Sequence, residues 1–335
     1  MSLTGMDYLS RFSEARVAVI GDVMLDVYIW GQVSRISPEA PVPIINVSRR
    51  TSCLGGASNV MRNLKTLGAK AFAYGVVGND EIGKELIACL EELGIESRGI
   101  ICDSSRRTTE KRRIVAGSQQ LLRIDTEDTG PVDDAIRRQL VDGVISQIRN
   151  HELDAVIFED YNKGLLVAWM LEEIIAEAKK YGVITALDPK PGNLAPVKHL
   201  SVMKPNRVEA FAMAGIADDG AMTDVKNNAL LRKVADKLLD MWEPDLLLLS
   251  LASQGMALFR KGADVEVIPT RAIEVFDVSG AGDTVTATYT VSAISGASAR
   301  TAAEIANRAA GIVVGKVGTV PVMFEELKKS FDSEE

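Results

Sequence analysis

The sequence predicts an α/β fold built on a central, mostly parallel sheet, with a small β lid over one end. Short β-rich runs alternate with longer helical patterns along most of the chain, which is typical of a layered parallel sheet. Two segments interrupt that alternation. Residues 27–47 contain three prolines among alternating polar and apolar positions, and residues 107–125 have the pattern of a hairpin. Both segments are predicted as antiparallel strands outside the main sheet, and together they form the lid.

The elements of the main sheet are predicted from two kinds of pattern. Runs of β-branched and aliphatic residues predict strands, whereas helical periodicity and stop signals such as Gly94 predict helices. Strands are predicted at 17–21, 71–77, 154–158, 183–187, 201–203, 245–251 and 257–259. Helices are predicted at 57–67, 82–93, 165–181, 281–295 and 299–314.

The domain organisation follows from length and motif order. A chain of 335 residues allows two domains at roughly 150 residues each, although open α/β folds often run longer as one unit. The motifs described below are spread in order along the whole chain, which favours one domain over residues 1–335. Its lid is predicted from about 27–50 and 105–125.

The composition excludes several classes of partner. The chain has 38 Lys and Arg residues against 46 Asp and Glu residues, a net charge of −8, so no nucleic-acid partner is expected. Its longest apolar runs, such as 245–251, are far below the roughly 18 residues that cross a bilayer, so no membrane partner is expected. Cys53, Cys89 and Cys102 have neither metal-binding nor redox spacing, and their odd number makes a poor disulfide framework. We therefore expect a reduced, cytoplasmic location.

The strongest chemical signal is Asp-Val-Ser-Gly-Ala-Gly-Asp-Thr at residues 277–284, which opens a helical pattern. At a helix start the amides of Gly280, Ala281 and Gly282 can approach an anion, and the helix dipole favours negative charge there. Asp283 lies in the first turn, aimed at the same place. An amide cradle beside a carboxylate suits phosphoryl transfer to a hydroxyl, with the carboxylate taking the proton. An ordinary capped helix with a glycine turn explains the spacing equally well.

Three competing patterns are each weakened by an observation in the sequence. Residues 78–84 fit the first part of a P-loop, but Glu85 stands where a Ser or Thr must reach Mg²⁺. The Gly-Ala-Gly run also begins a dinucleotide fingerprint, but Val285 replaces the third glycine and weakens an NAD-binding interpretation. His151 and His199 lie outside any nucleophile or metal pattern, so both are expected in surface or loop positions.

Two shorter motifs have structural explanations beside functional ones. Gly55 and Gly56 allow close backbone approach to a ligand, and Asn59 offers a donor and an acceptor, although a strand-to-helix turn explains the glycines. Asn206 and Glu209 lie three residues apart on one helical face. A capping box explains that spacing, but the same oxygens suit a Mg²⁺–water–phosphate network.

Two acidic residues follow the first predicted strand. Asp22 and Asp26 come just after residues 17–21, the position at which open α/β sheets bind ligands. Carboxylates at such a position commonly hold sugar hydroxyls, although either residue could simply be solvated. Both are therefore candidate substrate contacts.

Together these motifs resemble those of the ribokinase-like carbohydrate kinases, the PfkB family, over nearly the whole chain. The Gly55-Gly56 segment resembles the family's first signature. Residues 277–284 resemble its second signature, with Val278 and Ser279 where threonine or alanine is common. The resemblance implies a three-layer ribokinase-like fold with a β lid and an enzyme that transfers phosphate from ATP to a sugar, with Mg²⁺.

A narrower resemblance is to the kinase domain of the bacterial heptose-phosphate kinases, which act in ADP-heptose synthesis for the lipopolysaccharide core. Some members of that group carry a C-terminal nucleotidyltransferase domain. Since this chain ends about where the kinase fold should end, the resemblance implies a stand-alone kinase. The matching residues are 21–26, 34–43, 119–123, 160–164 and 188–190, with 35–43 the most specific.

The family resemblance implies a role for each matching position. Asp283 resembles the catalytic base. The anion hole for the transferred phosphoryl group would be formed by Gly280, Ala281 and Gly282. The sugar would be held by Asp22, Asp26, Gly55, Gly56 and Asn59. The Mg²⁺ ion and the nucleotide would be held by Asn206, Glu209, Ser250, Gly255 and Asn307.

Two further sites involve charged groups. Many family members bind a monovalent cation near the second signature, and here Asp277 and Ser279 could supply oxygens to K⁺. A phosphorylated sugar also needs cationic contacts, and Lys111 and Lys163 are predicted to provide them. The wider set, all in lid or strand-end segments, is Arg35, Lys111, Arg112, Arg113, Arg123, Lys163 and Lys190.

The leading hypothesis is phosphorylation of the anomeric hydroxyl of a heptose 7-phosphate to the 1,7-bisphosphate, with Asp283 as general base. The alternatives are a PfkB-type kinase for another sugar or a nucleoside, an NAD-dependent oxidoreductase, and a non-catalytic sensor of sugar or nucleotide. A homodimer through the lid is also expected, because the apolar hairpin at 107–125 leaves an edge strand without a partner.

Overall fold

Thirteen strands and ten α-helices lie in the part of the chain described by the computed structural model, residues 5–117, 119–221, 224–271, 275–316 and 318–332. The strands are β1 (Arg16–Gly21), β2 (Val23–Ile36), β3 (Pro43–Gly56), β4 (Lys70–Gly78), β5 (Glu96–Asp103), β6 (Thr109–Ala116), β7 (Gln119–Thr126), β8 (Ala155–Glu159), β9 (Ile184–Asp188), β10 (Val202–Met203), β11 (Leu246–Ser250), β12 (Met256–Phe259) and β13 (Glu266–Ile268). The helices are α1 (Gly5–Leu9), α2 (Ala57–Thr66), α3 (Glu81–Glu92), α4 (Asp134–Arg149), α5 (Ala168–Tyr181), α6 (Arg207–Ala214), α7 (Ala229–Trp242), α8 (Ala281–Ile294), α9 (Ala299–Val314) and α10 (Phe324–Asp332).

The main sheet has nine strands in the order β13-β12-β11-β10-β9-β8-β1-β4-β5. Neighbours pair in parallel from β11 to β5, and only the β11–β12 and β12–β13 pairs of this sheet are antiparallel. The predicted α/β fold with a central, mostly parallel sheet is therefore confirmed.

Helices cover both faces of this sheet, so the fold has three layers. Along β1 the buried side chains alternate: Val17 and Val19 enter one apolar core, and Ala18 and Ile20 enter the other. The first core is closed by α2, α3, α8 and α9, and the second by α4, α5, α6 and α7. Burial on both faces is what a parallel sheet requires.

The lid is a second sheet of four strands in the order β3-β2-β6-β7. The β2–β3 and β6–β7 pairs are antiparallel, but β2 and β6 run parallel, so the expectation of purely antiparallel strands is wrong for this pair. The chain reaches β6 only after passing through β4, α3 and β5, and such a crossover allows a parallel neighbour. The lid strands β2 and β3 also continue to Val23 and Gly56, beside the main sheet.

One predicted helix is shorter than expected. The helix predicted at 165–181 begins at Ala168, because Val167 has extended backbone angles and ends the preceding loop.

None of the described helices is both long and apolar enough to cross a membrane.

Candidate active site

Charged side chains from three neighbouring strands of the main sheet meet the first turn of α8. Glu159 ends β8, Asp188 ends β9, and Lys204 directly follows β10. Carboxylate oxygens of Glu159, Asp188 and Asp283 lie within 4.8 Å of one another. Ligands of open α/β sheets bind at the carboxyl ends of the strands, so this is the candidate active site.

Both carboxylate oxygens of Asp283 accept a hydrogen bond. The Asn59 side-chain amide donates to Oδ2 at 2.7 Å, and the Tyr161 hydroxyl donates to Oδ1 at 2.6 Å. Burial raises the pKa of Asp283, and these two hydrogen bonds limit that rise. The structure therefore orients the predicted base from two sides. Asn59, predicted as a sugar contact, donates to Asp283, and its contact with a sugar stays a prediction.

Of the two glycines at the start of α8, Gly280 is the one that the backbone requires. Gly280 has φ +76°, in the left-handed region, and a Cβ atom there would come within 2.7 Å of Asn59 Nδ2. A Cβ atom on Gly282 would lie 3.4 Å from Lys204 Nζ. Of the three residues predicted as the anion hole, Ala281 already donates its amide to Val278 O at 3.2 Å.

Lys204 is a functional candidate that no sequence motif indicated. Its Nζ lies 2.8 Å from Asp188 Oδ2, and its side chain is 6% exposed. Burial lowers the pKa of Lys204, but the charges of Asp188 and Glu159 outweigh burial and raise that pKa overall. Burial raises the pKa of Asp188 to about 6 even with Lys204 beside it. The signal available in the sequence was position, since Asp188 and Lys204 both directly follow predicted strands.

Glu159 is a second residue that the sequence analysis missed. It is fully buried, and neither carboxylate oxygen has a hydrogen-bond partner among the described residues. Burial raises its pKa well above the usual value for glutamic acid, and the charges of Asp188 and Asp283 raise it further. Glu159 therefore holds a proton more readily than an ordinary glutamic acid.

The predicted sugar contacts at Asp26, Gly55 and Gly56 lie together where β2 pairs with β3. A Cβ atom on Gly55 would approach Asp26 Oδ2 to 2.7 Å, and Gly56 has φ +54°, so both positions favour glycine. Asp26 Oδ1 accepts a hydrogen bond from Arg113 at 2.5 Å. Arg113, in β6, was included only in the wider set of phosphate candidates.

Asp22 is buried, and its carboxylate accepts hydrogen bonds from the backbone. Oδ2 accepts hydrogen bonds from the backbone amides of Tyr161, at 2.8 Å, and Lys163, at 3.1 Å. Burial raises the pKa of Asp22 to about 6, although these amides lower it. Asp22 therefore holds the turn after β8.

Lys111 and Lys163, the two lysines predicted to bind the sugar phosphate, differ in the length of their ion pairs. Lys163 Nζ lies 2.8 Å from Glu127 Oε1, whereas Lys111 Nζ lies 3.7 Å from Asp125 Oδ2. Both oxygens of Asp125 already accept hydrogen bonds from Arg123, at 2.8 and 2.9 Å. Lys111 is therefore the less firmly neutralised cation.

The structure also places three other cations of the wider set. Arg35 is nine residues beyond Asp26 along β2, roughly 30 Å at the rise of a strand. Arg112 alternates with Lys111 along β6 and pairs with Glu110. Lys190 Nζ contacts Glu209, on the nucleotide side described next.

Asn206 and Glu209 form the capping box at the start of α6. Asn206 Oδ1 accepts from the Glu209 amide at 2.9 Å, and Glu209 Oε2 accepts from the Asn206 amide at 2.9 Å. The structural explanation of their spacing is thus correct. The capping box leaves the Mg²⁺ interpretation open, because the side-chain oxygens of Asn206 and Glu209 keep further lone pairs. Ser250 forms a backbone bridge with Asn206, so the three residues adjoin.

The remaining nucleotide candidates meet at the segment that follows β13. Gly255 has φ +82°, and a Cβ atom there would come within 2.6 Å of Thr270 N. The Asn307 side chain, on α9, donates to Pro269 O at 2.7 Å. Gly255 and Asn307 thus lie against the same stretch of backbone.

Asp277 and Ser279 lie in the loop before α8. Asp277 accepts from the Ser279 amide through Oδ1 at 2.9 Å and from the Gly318 amide through Oδ2 at 3.0 Å. Burial raises the pKa of Asp277, but these amides outweigh burial and lower it overall. The pair therefore fixes this loop, and the K⁺ site remains a prediction.

Comparison with known proteins decides the family. Residues 14–325 match the model of the pfkB family carbohydrate kinases. The chain belongs to the PfkB family of carbohydrate kinases. The oxidoreductase and sensor alternatives receive no support from this match.

Individual relatives agree with the family and the fold. The chain is 42% identical over 320 residues to the "Bifunctional protein HldE" of Desulfatibacillum aliphaticivorans, covering 96% of this chain and 64% of that protein. It thus spans slightly less than two thirds of that relative's length. Ribokinase of Arabidopsis thaliana, complexed with ribose and ATP, has a TM-score of 0.69 at 19% identity, over 94% of this chain and 98% of its own. Phosphofructokinase-2 of Escherichia coli, in complex with potassium, has a TM-score of 0.73 at 16% identity, over 95% and 98%. The ribokinase-like fold is confirmed.

Proposed function

We propose that this chain transfers the γ-phosphoryl group of ATP to the anomeric hydroxyl of a heptose 7-phosphate, giving ADP and the 1,7-bisphosphate. The observation that carries the proposal is the placement of Asp283, held by Asn59 and Tyr161 in the first turn of α8. The resemblance of residues 35–43 to the heptose-phosphate kinases and the 42% identity to an HldE protein support the choice of sugar.

The chemistry follows from the groups around that turn. Asp283 takes the proton of the anomeric hydroxyl, whose oxygen attacks the γ-phosphorus as the bond to the β–γ bridging oxygen breaks. A Cβ atom on Gly282 would lie 3.4 Å from the Lys204 ammonium, so this turn and that cation can both offset negative charge on the transferred group. Asp188 keeps Lys204 charged and in place.

The donor set at Asn206 and Glu209 fits Mg²⁺, because amide and carboxylate oxygens are the hard ligands that this ion prefers. Since their capping box already uses part of each side chain, we assign them to the water shell of the ion. When bound, Mg²⁺ neutralises charge on the nucleotide phosphates. Ser250, Gly255 and Asn307 continue the same side of the site and are assigned to ATP.

Asp277 and Ser279 are assigned to a K⁺ ion. The phosphofructokinase-2 structure with potassium supports this assignment only as an analogy between distant family members. The loop before α8 offers carboxylate, hydroxyl and carbonyl oxygens. The amides of Ser279 and Gly318 donate to the Asp277 carboxylate and hold this loop. Activity with K⁺ replaced by a large organic cation tests the assignment.

The 7-phosphate is assigned to Lys111 and Lys163. Lys111 is the stronger candidate, since Asp125 is already held by Arg123 and an incoming phosphate would meet less competition there. Lys163 must first leave Glu127. Asp26, Gly55 and Gly56 are assigned to the sugar hydroxyls, and Asp22 to the turn that borders them.

We also propose a cytoplasmic homodimer joined through the lid. β7 is an edge strand of the lid sheet, and several large apolar side chains of the lid are exposed. Pairing of two lids would cover these side chains and would give the backbone groups of the edge strand hydrogen-bond partners. The exposed residues are Val33, Ile36, Val47, Leu121, Leu122 and Ile124.

The experiment that tests the proposed reaction is a screen for ADP release over matched sugars and sugar phosphates. We expect turnover with the heptose 7-phosphate and a phosphorus NMR spectrum in which a second phosphate appears at the anomeric carbon. Equal or better turnover with unphosphorylated sugars or nucleosides would favour the alternative PfkB-type kinase. Phosphorylation at another hydroxyl would contradict the assigned position.

A further inference from the structure

The Tyr161 hydroxyl helps to hold Asp283, but the reaction described so far does not say what this contact does for proton transfer. It donates to Asp283 Oδ1 at 2.6 Å, opposite the amide of Asn59 on Oδ2. Tyr161 comes from the turn after β8, whereas Asp283 comes from α8. The contact therefore joins the loop at the carboxyl end of β8 to the helix that carries the proposed base.

The turn that presents Tyr161 is held by carboxylates. The amides of Tyr161 and Lys163 both donate to Asp22 Oδ2, and the amide of Asn162 donates to Asp160 Oδ1 at 2.8 Å. Asn162 has φ +57°, a left-handed conformation that asparagine tolerates better than most residues. The backbone under Tyr161 is thus fixed in one conformation, which is what a positioning device requires.

We propose that Tyr161 is a positioning residue for Asp283, which holds the carboxylate ionised and rotated so that a remaining lone pair faces the sugar hydroxyl. The inference rests on the proposed function, since it takes Asp283 as the base. It goes further, because it assigns a role in the reaction to a side chain that lies outside both signatures.

The surroundings of Asp283 explain why such a donor is needed. A buried carboxylate among like charges tends to take up a proton, and a protonated Asp283 could not act as a base. Burial raises the pKa of Tyr161 and the charge of Asp283 raises it further, so the phenol keeps the proton that it donates. The charged groups that act on Asp283 are Asp26, Glu159, Asp188 and Lys204.

The first test is Tyr161→Phe in the full chain, assayed with the heptose 7-phosphate that the wild type phosphorylates. We expect kcat to fall about ten-fold to a hundred-fold at neutral pH, the effect of one charge-assisted hydrogen bond. The acid limb of the kcat/KM profile should move up by about one pH unit, with KM for ATP unchanged. The matched control is Tyr74→Phe, which also removes a tyrosine hydroxyl bond, to Gln147 at 2.8 Å, away from the site.

A second variant covers the case in which the phenylalanine variant does not fold. A fluorinated tyrosine at position 161 keeps the shape and the hydroxyl but is a stronger donor. It should move the acid limb down in pH, opposite to the effect of Tyr161→Phe. An unmoved acid limb in whichever variants fold would overturn the positioning role.

Failure of this inference can be told from failure of the proposed function. If Asp283→Asn abolishes turnover while the Tyr161 variants match the wild type, only the role of Tyr161 is wrong. If Asp283→Asn stays active, or if the wild type does not phosphorylate the sugar, the proposed function is wrong and the Tyr161 proposal is overturned with it.

Discussion

The Lys204 ammonium lies 2.8 Å from Asp188 Oδ2, at the carboxyl ends of two adjacent strands and directly against the start of α8. A Cβ atom on Gly282 would lie 3.4 Å from that ammonium and 3.8 Å from Asp188 Oδ2. Gly282 thus lies in contact range of a buried cation, at the place assigned to the transferred phosphoryl group. Asp188 keeps the cation charged there.

Lys204→Met should lower both stability and kcat. Leaving Asp188 buried without its partner is expected to cost about 3–5 kcal/mol of unfolding free energy. Loss of a cation at the transferred group is expected to cost about 10²-fold or more in kcat. Denaturant titration and initial-rate assays measure the two effects separately.

The double variant Asp188→Asn/Lys204→Met is the matched control. It removes both charges, so most of the lost stability should return while kcat stays low. A double variant that regains near wild-type kcat would show that Lys204 serves packing and not phosphoryl transfer.

The two glycines of the α8 turn should differ in sensitivity. Gly280→Ala adds a side chain at φ +76° and pushes against Asn59, which holds the base, so we expect kcat to fall about 10²-fold or more. Gly282→Ala meets only the end of the Lys204 side chain, so we expect a loss of about ten-fold. Steady-state kinetics of both variants test the order, and a reversed order would contradict the assigned geometry.

Glu159→Gln should raise thermal stability, and more so at higher pH. The folded protein raises the pKa of Glu159, so the folded state binds a proton that the unfolded state has lost above about pH 4.5. Stability therefore falls as pH rises above that value, and glutamine removes this loss. Melting curves at pH 5 and pH 8 should show the larger gain at pH 8. A gain that shrinks with pH would mean that Glu159 is ionised and stabilising.

Lys111→Ala should raise KM for the phosphorylated sugar about ten-fold or more and leave KM for ATP within two-fold, because only the sugar phosphate is assigned to it. Lys163→Ala should act in the same direction but less strongly, since Glu127 already neutralises Lys163. Arg112→Ala is the control, because its side chain pairs with Glu110. Equal effects on both substrates would argue against a role in binding the sugar phosphate.

The parts of the fold that repeat a local pattern could be predicted from the sequence. Helix α9 is predicted with its bounds, and β1 within one residue, because periodicity and apolar runs depend only on neighbours in the chain. The prediction omits α4, although Leu140, Val144 and Ile148 have helical spacing and supplied a usable signal.

The contacts that build the site depend on strand order, which no local pattern contains. Tyr161 and Asp283 are 122 residues apart, and they meet because α8 packs against β8, the strand that precedes Tyr161. Asp26 meets Arg113 because β2 and β6 pair in parallel, against the expectation of antiparallel lid strands. The sequence motifs thus pointed to Asp283, its glycines and Asn59, but not to Tyr161 or Lys204, which lie beside them in the structure.

The central claim is that Asp283 removes the proton of the sugar hydroxyl, and Asp283→Asn tests it most directly. Asparagine keeps the shape of the side chain but cannot take up that proton, so single-turnover phosphorylation of the heptose 7-phosphate should slow by about 10²–10⁴-fold. Nucleotide binding and the melting temperature should remain close to those of the wild type. Phosphoryl transfer within a few-fold of the wild-type rate would contradict the account.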